Sequence, residues 1–98
     1  MEDRPIYIDI DGTLTDEPVE HWGVPRSERL AKVRRMLAEG TQVVIWSGGG
    51  TTYARQWADK HSLSGAVCLG KPEFCVDDNP GIRPPGRMRI IPPTEFFD

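Results

Sequence analysis

Cysteine is scarce in this 98-residue chain: Cys68 and Cys75 stand in separate short apolar runs, with no CxxC or Cys/His spacing around either. A metal or redox role has no spacing to support it, and burial as reduced thiols is the expectation. No apolar run is long enough for a membrane span, and the first residues, Met1-Glu2-Asp3-Arg4-Pro5, are charged where a signal peptide would be apolar. A cytoplasmic chain with no membrane partner is the expectation. A basic excess is missing too, with 12 Lys and Arg against 15 Asp and Glu, a net charge of -3 and a pI near 5.3. Nucleic acid is therefore not indicated as a partner by the overall field, although a local patch remains compatible with one. There is no internal repeat, no low-complexity segment and no room for a second lobe, so the sequence predicts one domain over 1–98. Glycine and proline, in contrast, are plentiful at ten and nine, and they cluster in 79–93 as turns around the last expected strand.

Hydrophobic patterning predicts an alternation of strands and helices. Residues 6–10 are an unbroken apolar or β-branched run ending in acids, the pattern of a buried parallel strand whose carboxyl end opens on a site. A polar loop over 15–24 follows, carrying His21 and Trp22. Pro25 suits a helix first turn, Leu30, Val33 and Leu37 recur on one face, and Gly40 suits the C-terminal cap, which predicts a helix over 25–39. Val43-Val44-Ile45-Trp46 reads as the second strand. Thr51 or Thr52 is the expected cap of a second helix reaching about Lys60, with Ala54, Trp57, Ala58 and His61 inward. Strands are expected at 66–69, 74–76 and 88–91. The fold class is thus α/β, an open parallel sheet of about five strands with flanking helices and right-handed crossovers.

The most informative stretch is Asp9-Ile10-Asp11-Gly12-Thr13-Leu14-Thr15, directly after Ile6-Tyr7-Ile8. Side chains two apart on a strand share a face, so Asp9 and Asp11 are expected side by side. Two carboxylates that close need a cation, and Mg2+ between them lets both stay ionised at neutral pH. Gly12 frees the backbone to leave the strand, and Thr13 adds a hydroxyl. In open α/β sheets ligands bind outside the carboxyl ends of the strands, so polar residues should follow the other strands as well. They do: Ser47 follows the second, Asp77 and Asp78 follow the fourth, and Lys71 precedes the fourth.

These residues resemble the motifs of the haloacid dehalogenase (HAD) superfamily of phosphoryl-transfer enzymes. The DxDGT of residues 9–13, Ser47 in VVIWSGGG, Lys71 in LGKPEF and Asp77-Asp78 in CVDDNPG fall in the family's order, so the resemblance spans residues 6–80. It implies a HAD-like sheet and a phosphatase in which Asp9 is the nucleophile that becomes an aspartyl-phosphate. Asp11 is then the acid that protonates the leaving oxygen and the base that activates water. Ser47 and the amides of Gly12 and Gly48 would donate to the phosphoryl oxygens, and Lys71 would neutralise them. Mg2+ would take a carboxylate oxygen of Asp9, the main-chain carbonyl of Asp11 and one acid of the Asp77-Asp78 pair. The resemblance favours Asp78 as ligand with Asp77 holding Lys71; spacing alone does not choose between them.

Each residue also has a plainer use. Ser47 before three glycines suits a flexible turn, and Lys71 before Pro72 suits a solvated loop lysine. Gly48-Gly49-Gly50-Thr51-Thr52 has the look of a phosphate cradle but lacks the Gly-Lys-[Ser/Thr] ending of a nucleotide P-loop. Arg55, one turn into the second helix, either reaches a substrate phosphate or is a solvated helix arginine. His21 and Trp22 suit loop contacts better than stacking on a leaving group, and Trp57 at helical spacing reads as core.

A cap domain is absent between the motifs. The 35 residues from 12 to 46 and the 23 from 48 to 70 are taken up by the two helices and a strand. An uncapped site accepts a large or extended phosphorylated substrate, or borrows a lid from another subunit of an oligomer. Small HAD proteins of this kind include phosphatases for sugar phosphates, nucleotides and nucleic-acid 3' ends, and nothing in the sequence selects among them. Two other classes compete. A receiver-like signalling module also forms phospho-aspartate, but carries its acceptor after the third strand; a catalytically silent HAD-fold binding protein usually lacks a motif aspartate, and here all are present.

Overall fold

The computed structural model describes residues 4–17, 23–79 and 88–98. Eight elements follow in order: β1 (Ile6–Asp9), α1 (Ser27–Ala38), β2 (Val43–Ser47), α2 (Thr51–Lys60), β3 (Val67–Gly70), β4 (Phe74–Val76), β5 (Arg89–Ile91) and α3 (Pro93–Phe97). The protein is a small α/β protein with parallel sheets. No helix among the described residues is long and apolar enough to cross a membrane.

Strands β1, β2 and β3 form one parallel sheet in that order, with Asp9 level with Trp46, Trp46 with Leu69, and Ser47 with Gly70. Both crossovers step the same way along the sheet, and right-handed connections then put both helices on one face. The buried set agrees: Leu30 and Val33 of α1, Tyr53, Ala54 and Ala58 of α2, and Ile10, Val43, Ile45 and Cys68 from the strand side make one cluster. Ile10 and Ile45 are fully buried, and each such side chain contributes about 1.5–3 kcal/mol by leaving water. The opposite face, with Tyr7, Val67 and Leu69, stays exposed. An unbroken apolar run in β1 predicts burial on both faces, yet Tyr7, on the face that no helix covers, is 48% exposed, and Ile6, at the start of the strand, is 40% exposed.

The expected single sheet of about five strands is not what the described residues form. Strands β4 and β5 pair with each other, in parallel, as a separate two-stranded sheet. Only Lys71, Pro72 and Glu73 separate β3 from β4, far short of the dozen or so residues that a parallel neighbour needs for its crossover. The chain must leave the first sheet there.

Helix ends are shaped by close backbone geometry. At the end of α1 the amides of Gly40 and Thr41 donate to Leu37 and Met36, satisfying the last carbonyls as the expected glycine cap does. Helix α2 starts from Gly50, not from a threonine cap, because the Thr51 hydroxyl is taken by the Gly70 amide at 2.8 Å. Pro25 is not in the first turn of α1; it bridges Thr15, and Arg26 precedes the helix. The sequence pattern predicts no helix after the last strand, yet the five-residue α3 forms there, with proline at its start, where a missing amide proton costs nothing. His21, Trp22 and the Pro84-Pro85-Gly86-Arg87 turn lie outside the described residues.

Candidate active site

The carboxyl ends of the three paired strands bring the expected cluster together in part. Asp9 ends β1, Ser47 ends β2, and Lys71 follows β3. Lys71 Nζ stands 3.0 Å from Asp9 Oδ1, and Thr13 Oγ1 donates to Asp9 Oδ2 at 3.1 Å. The Lys71 ammonium also lies 5.8 Å from the centre of the Trp46 ring, on the face opposite the helices. Asp77, expected to hold Lys71, instead accepts the Asn79 amide at 2.8 Å, and Asp78 is exposed.

After Ile10 the chain turns at once. The Ile10 carbonyl accepts from the amides of Thr13, Leu14 and Thr15, and Gly12 takes a positive φ of 84° that residues with a Cβ adopt only under strain. Thr15, almost wholly buried, accepts the Gly12 amide at 3.1 Å. Residues 14–16 run against 24–26, with Asp16 and Arg26 donating amides to Val24 and Leu14. Because strand geometry ends at Asp9, the two acids do not share partners as alternation predicts. Asp11 turns toward α2, where Tyr53 donates to its Oδ1 at 2.9 Å.

Ser47 is 1% exposed. Its Oγ accepts the Gly49 amide at 2.9 Å, its hydroxyl proton meets no acceptor among the described residues, and its carbonyl accepts the amides of Gly50 and Lys71. Serine here organises both the glycine loop and the backbone of the lysine. Gly48 is exposed, with open space around it. Arg55 lies apart from this cluster: its guanidinium bonds the carbonyls of Ser64 and Ala66 and pairs with Asp59 at 3.1 Å.

Among the described residues no group of three or more His, Cys, Asp or Glu side chains converges as a metal cage. The chemistry of the donors nonetheless fits a hard cation: Asp9 supplies a carboxylate, and the main-chain carbonyl of Asp11 accepts no hydrogen bond among the described residues. Cys68 is buried with its thiol pushed up by desolvation, as expected of a reduced structural cysteine, whereas Cys75, expected to be buried too, is free but only half-buried.

Tyr53 is the site residue that patterning missed. It is missing from the expected inward face of the second helix, yet it is 8% exposed and part of the core. Its place one turn after the serine loop, at the carboxyl end of the sheet, is the signal that a polar-tipped aromatic can reach a strand-end acid. Comparison of the chain with protein-family models, with curated proteins and with solved structures returns no match.

Proposed function

We propose that the chain is a Mg2+-dependent phosphomonoesterase that acts through an aspartyl-phosphate on Asp9. The Asp9–Lys71 ion pair carries this reading, because it sets a nucleophile and a cation for its target at the carboxyl ends of paired strands. A buried serine, its hydroxyl proton without an acceptor among the described residues, and an open glycine loop adjoin the pair. Phosphoryl transfer depends mostly on such positioning and charge.

In the first half-reaction an Asp9 oxygen forms a bond to phosphorus as the bond from phosphorus to the alcohol oxygen breaks, and Asp11 gives that oxygen a proton. Water then attacks the acyl phosphate, returns a proton to Asp11 and frees Asp9 with release of phosphate. Lys71 leaves Asp9 for the phosphoryl oxygens, where Ser47 Oγ and the Gly48 amide also donate; the Gly12 amide, expected to join them, is instead held by Thr15 Oγ1. Asp9, the Asp11 carbonyl and Asp78 would hold Mg2+; Asp78 is preferred because Asp77 is engaged by Asn79. Bound there, the cation supplies charge neutralisation that lets one anion approach another.

A panel of phosphomonoesters, including a 3'-phosphorylated oligonucleotide, tests the proposal. Turnover is expected with Mg2+, none with EDTA, and little with Ca2+, whose looser coordination misplaces the in-line geometry. Full activity in metal-free protein, or more than about a tenth of it in Asp9→Asn, overturns the covalent metal-assisted mechanism.

A further inference from the structure

A pocket of about 330 Å3 opens between α2 and the backbone around Thr15 and Pro25, with Asp11 and Tyr53 at one end and Lys60 and His61 at the other. Tyr53, Trp57 and Lys60 fall on one face of α2, and the eight residues from Tyr53 to Lys60 span about 10 Å of helix. The size is at the lower end for small-molecule sites. The length exceeds a short alkyl alcohol and suits a ring bearing a substituent on its far edge.

Position relative to the two acids gives the pocket its direction. Asp9 is held by Lys71 near the Trp46 ring on the open face of the sheet, whereas Asp11 is held by Tyr53 on the helix side. In-line transfer sets nucleophile and leaving oxygen on opposite sides of phosphorus, and the acid must touch the leaving oxygen. The alcohol therefore departs on the Asp11 side, into this pocket. Trp57 lies against His61 with ring centroids 4.2 Å apart and planes tilted by 41°, and both rings line the pocket. Lys60 makes no ion pair among the described residues. Burial, then Lys60 and Arg34, hold the His61 ring below its ordinary value, so it is a neutral donor beside a positive charge.

We propose that this pocket receives the leaving alcohol and selects phosphomonoesters whose alcohol is a ring carrying a second anionic group, the ring against Trp57 and the anion at Lys60. The inference rests on the phosphatase reading of Asp9 and Asp11, and it deepens that reading by naming a substrate class.

Three esters test it with Mg2+ present: 4-carboxyphenyl phosphate, phenyl phosphate and ethyl phosphate. The expected order of kcat/KM follows that sequence, the carboxylate contributing about threefold to fivefold through one partly screened ion pair, an advantage that shrinks with salt. Lys60→Ala should bring the carboxyphenyl-to-phenyl ratio near one, and Lys60→Glu should invert it, while circular dichroism stays unchanged. Equal turnover of all three esters, or a ratio that Lys60→Glu does not move, overturns the pocket assignment and leaves the phosphatase reading standing. If no ester is hydrolysed, that reading fails; benzoate shifting the Trp57 indole resonance would then still support a ring-and-anion pocket, and no shift would remove the pocket as well.

Discussion

Lys71 Nζ lies 3.0 Å from Oδ1 of Asp9, so the proposed nucleophile is paired in the free protein with the cation that would later serve its target. Lysine is 40% exposed there, and an ion pair so open to solvent contributes little to folding. The value of the pair is chemical: the same ammonium meets the developing charge on the phosphoryl group. Lys71→Met is therefore expected to lower kcat by about 10²–10³, the usual loss of one oxyanion partner, with a melting temperature close to wild type. A kcat within a factor of about three of wild type would show that Lys71 is only a loop ion pair.

Gly70 sits where β3 meets the start of α2. A Cβ there would lie 2.9 Å from Gly50 Cα and 3.0 Å from the Thr51 amide nitrogen, both backbone, which cannot move aside cheaply. Gly70→Ala is expected to destabilise by about 1–3 kcal/mol, and each kcal/mol lowers the melting temperature by ~4–8 °C in a domain of this size. Gly48→Ala, with open space around its Cβ, is the matched control and should stay within about 0.5 kcal/mol. Equal melting temperatures for the two variants would contradict the close contact.

Local pattern carried the existence and order of most of this fold, and physics explains where it stopped. Helix α1 was legible because its buried positions, Leu30 and Val33, repeat with the helical period, and strand β2 because Val43-Val44-Ile45-Trp46 is a short unbroken apolar run. The division into two sheets was not, since periodicity says nothing about which strands pair; only the three-residue link through Pro72 restricts it. At the site, Asp9, Ser47 and Lys71 were read from their places at strand ends. The separate orientation of Asp11 was hidden because it depends on a turn around the Ile10 carbonyl and on Tyr53, 42 positions away. Arg55 was ambiguous for a like reason: nothing local reveals that the carbonyls of Ser64 and Ala66 stand within its reach.

His61 gives stability a pH dependence of definite sign. Desolvation, Lys60 and Arg34 lower its folded value below the ordinary 6.5, so the unfolded chain binds this proton more readily. The contribution of the neutral ring is present above 6.5 and is lost as pH falls through the folded value. Thermal melts should show a decline below about pH 6.5 that is shallower in His61→Gln, because the glutamine has no proton to gain. A decline of the same steepness in the variant would assign the effect to other groups.

The proposed dual role of Asp11 separates an enzyme from a phospho-acceptor module. As acid and base it serves both half-reactions, yet an ester with a good leaving group needs no proton to depart. In Asp11→Asn, Asp9 should still be phosphorylated by such a donor while hydrolysis of the adduct slows by about 10²–10⁴. Phospho-aspartate would then accumulate. Acid quenching and intact mass spectrometry should find one added phosphate, mapped by peptide analysis to residues 9–15 and absent from the Asp9→Asn, Asp11→Asn double variant. If wild-type protein accumulates the adduct as readily as Asp11→Asn, Asp11 does not assist hydrolysis, and a long-lived signalling phosphate becomes the better description of the site.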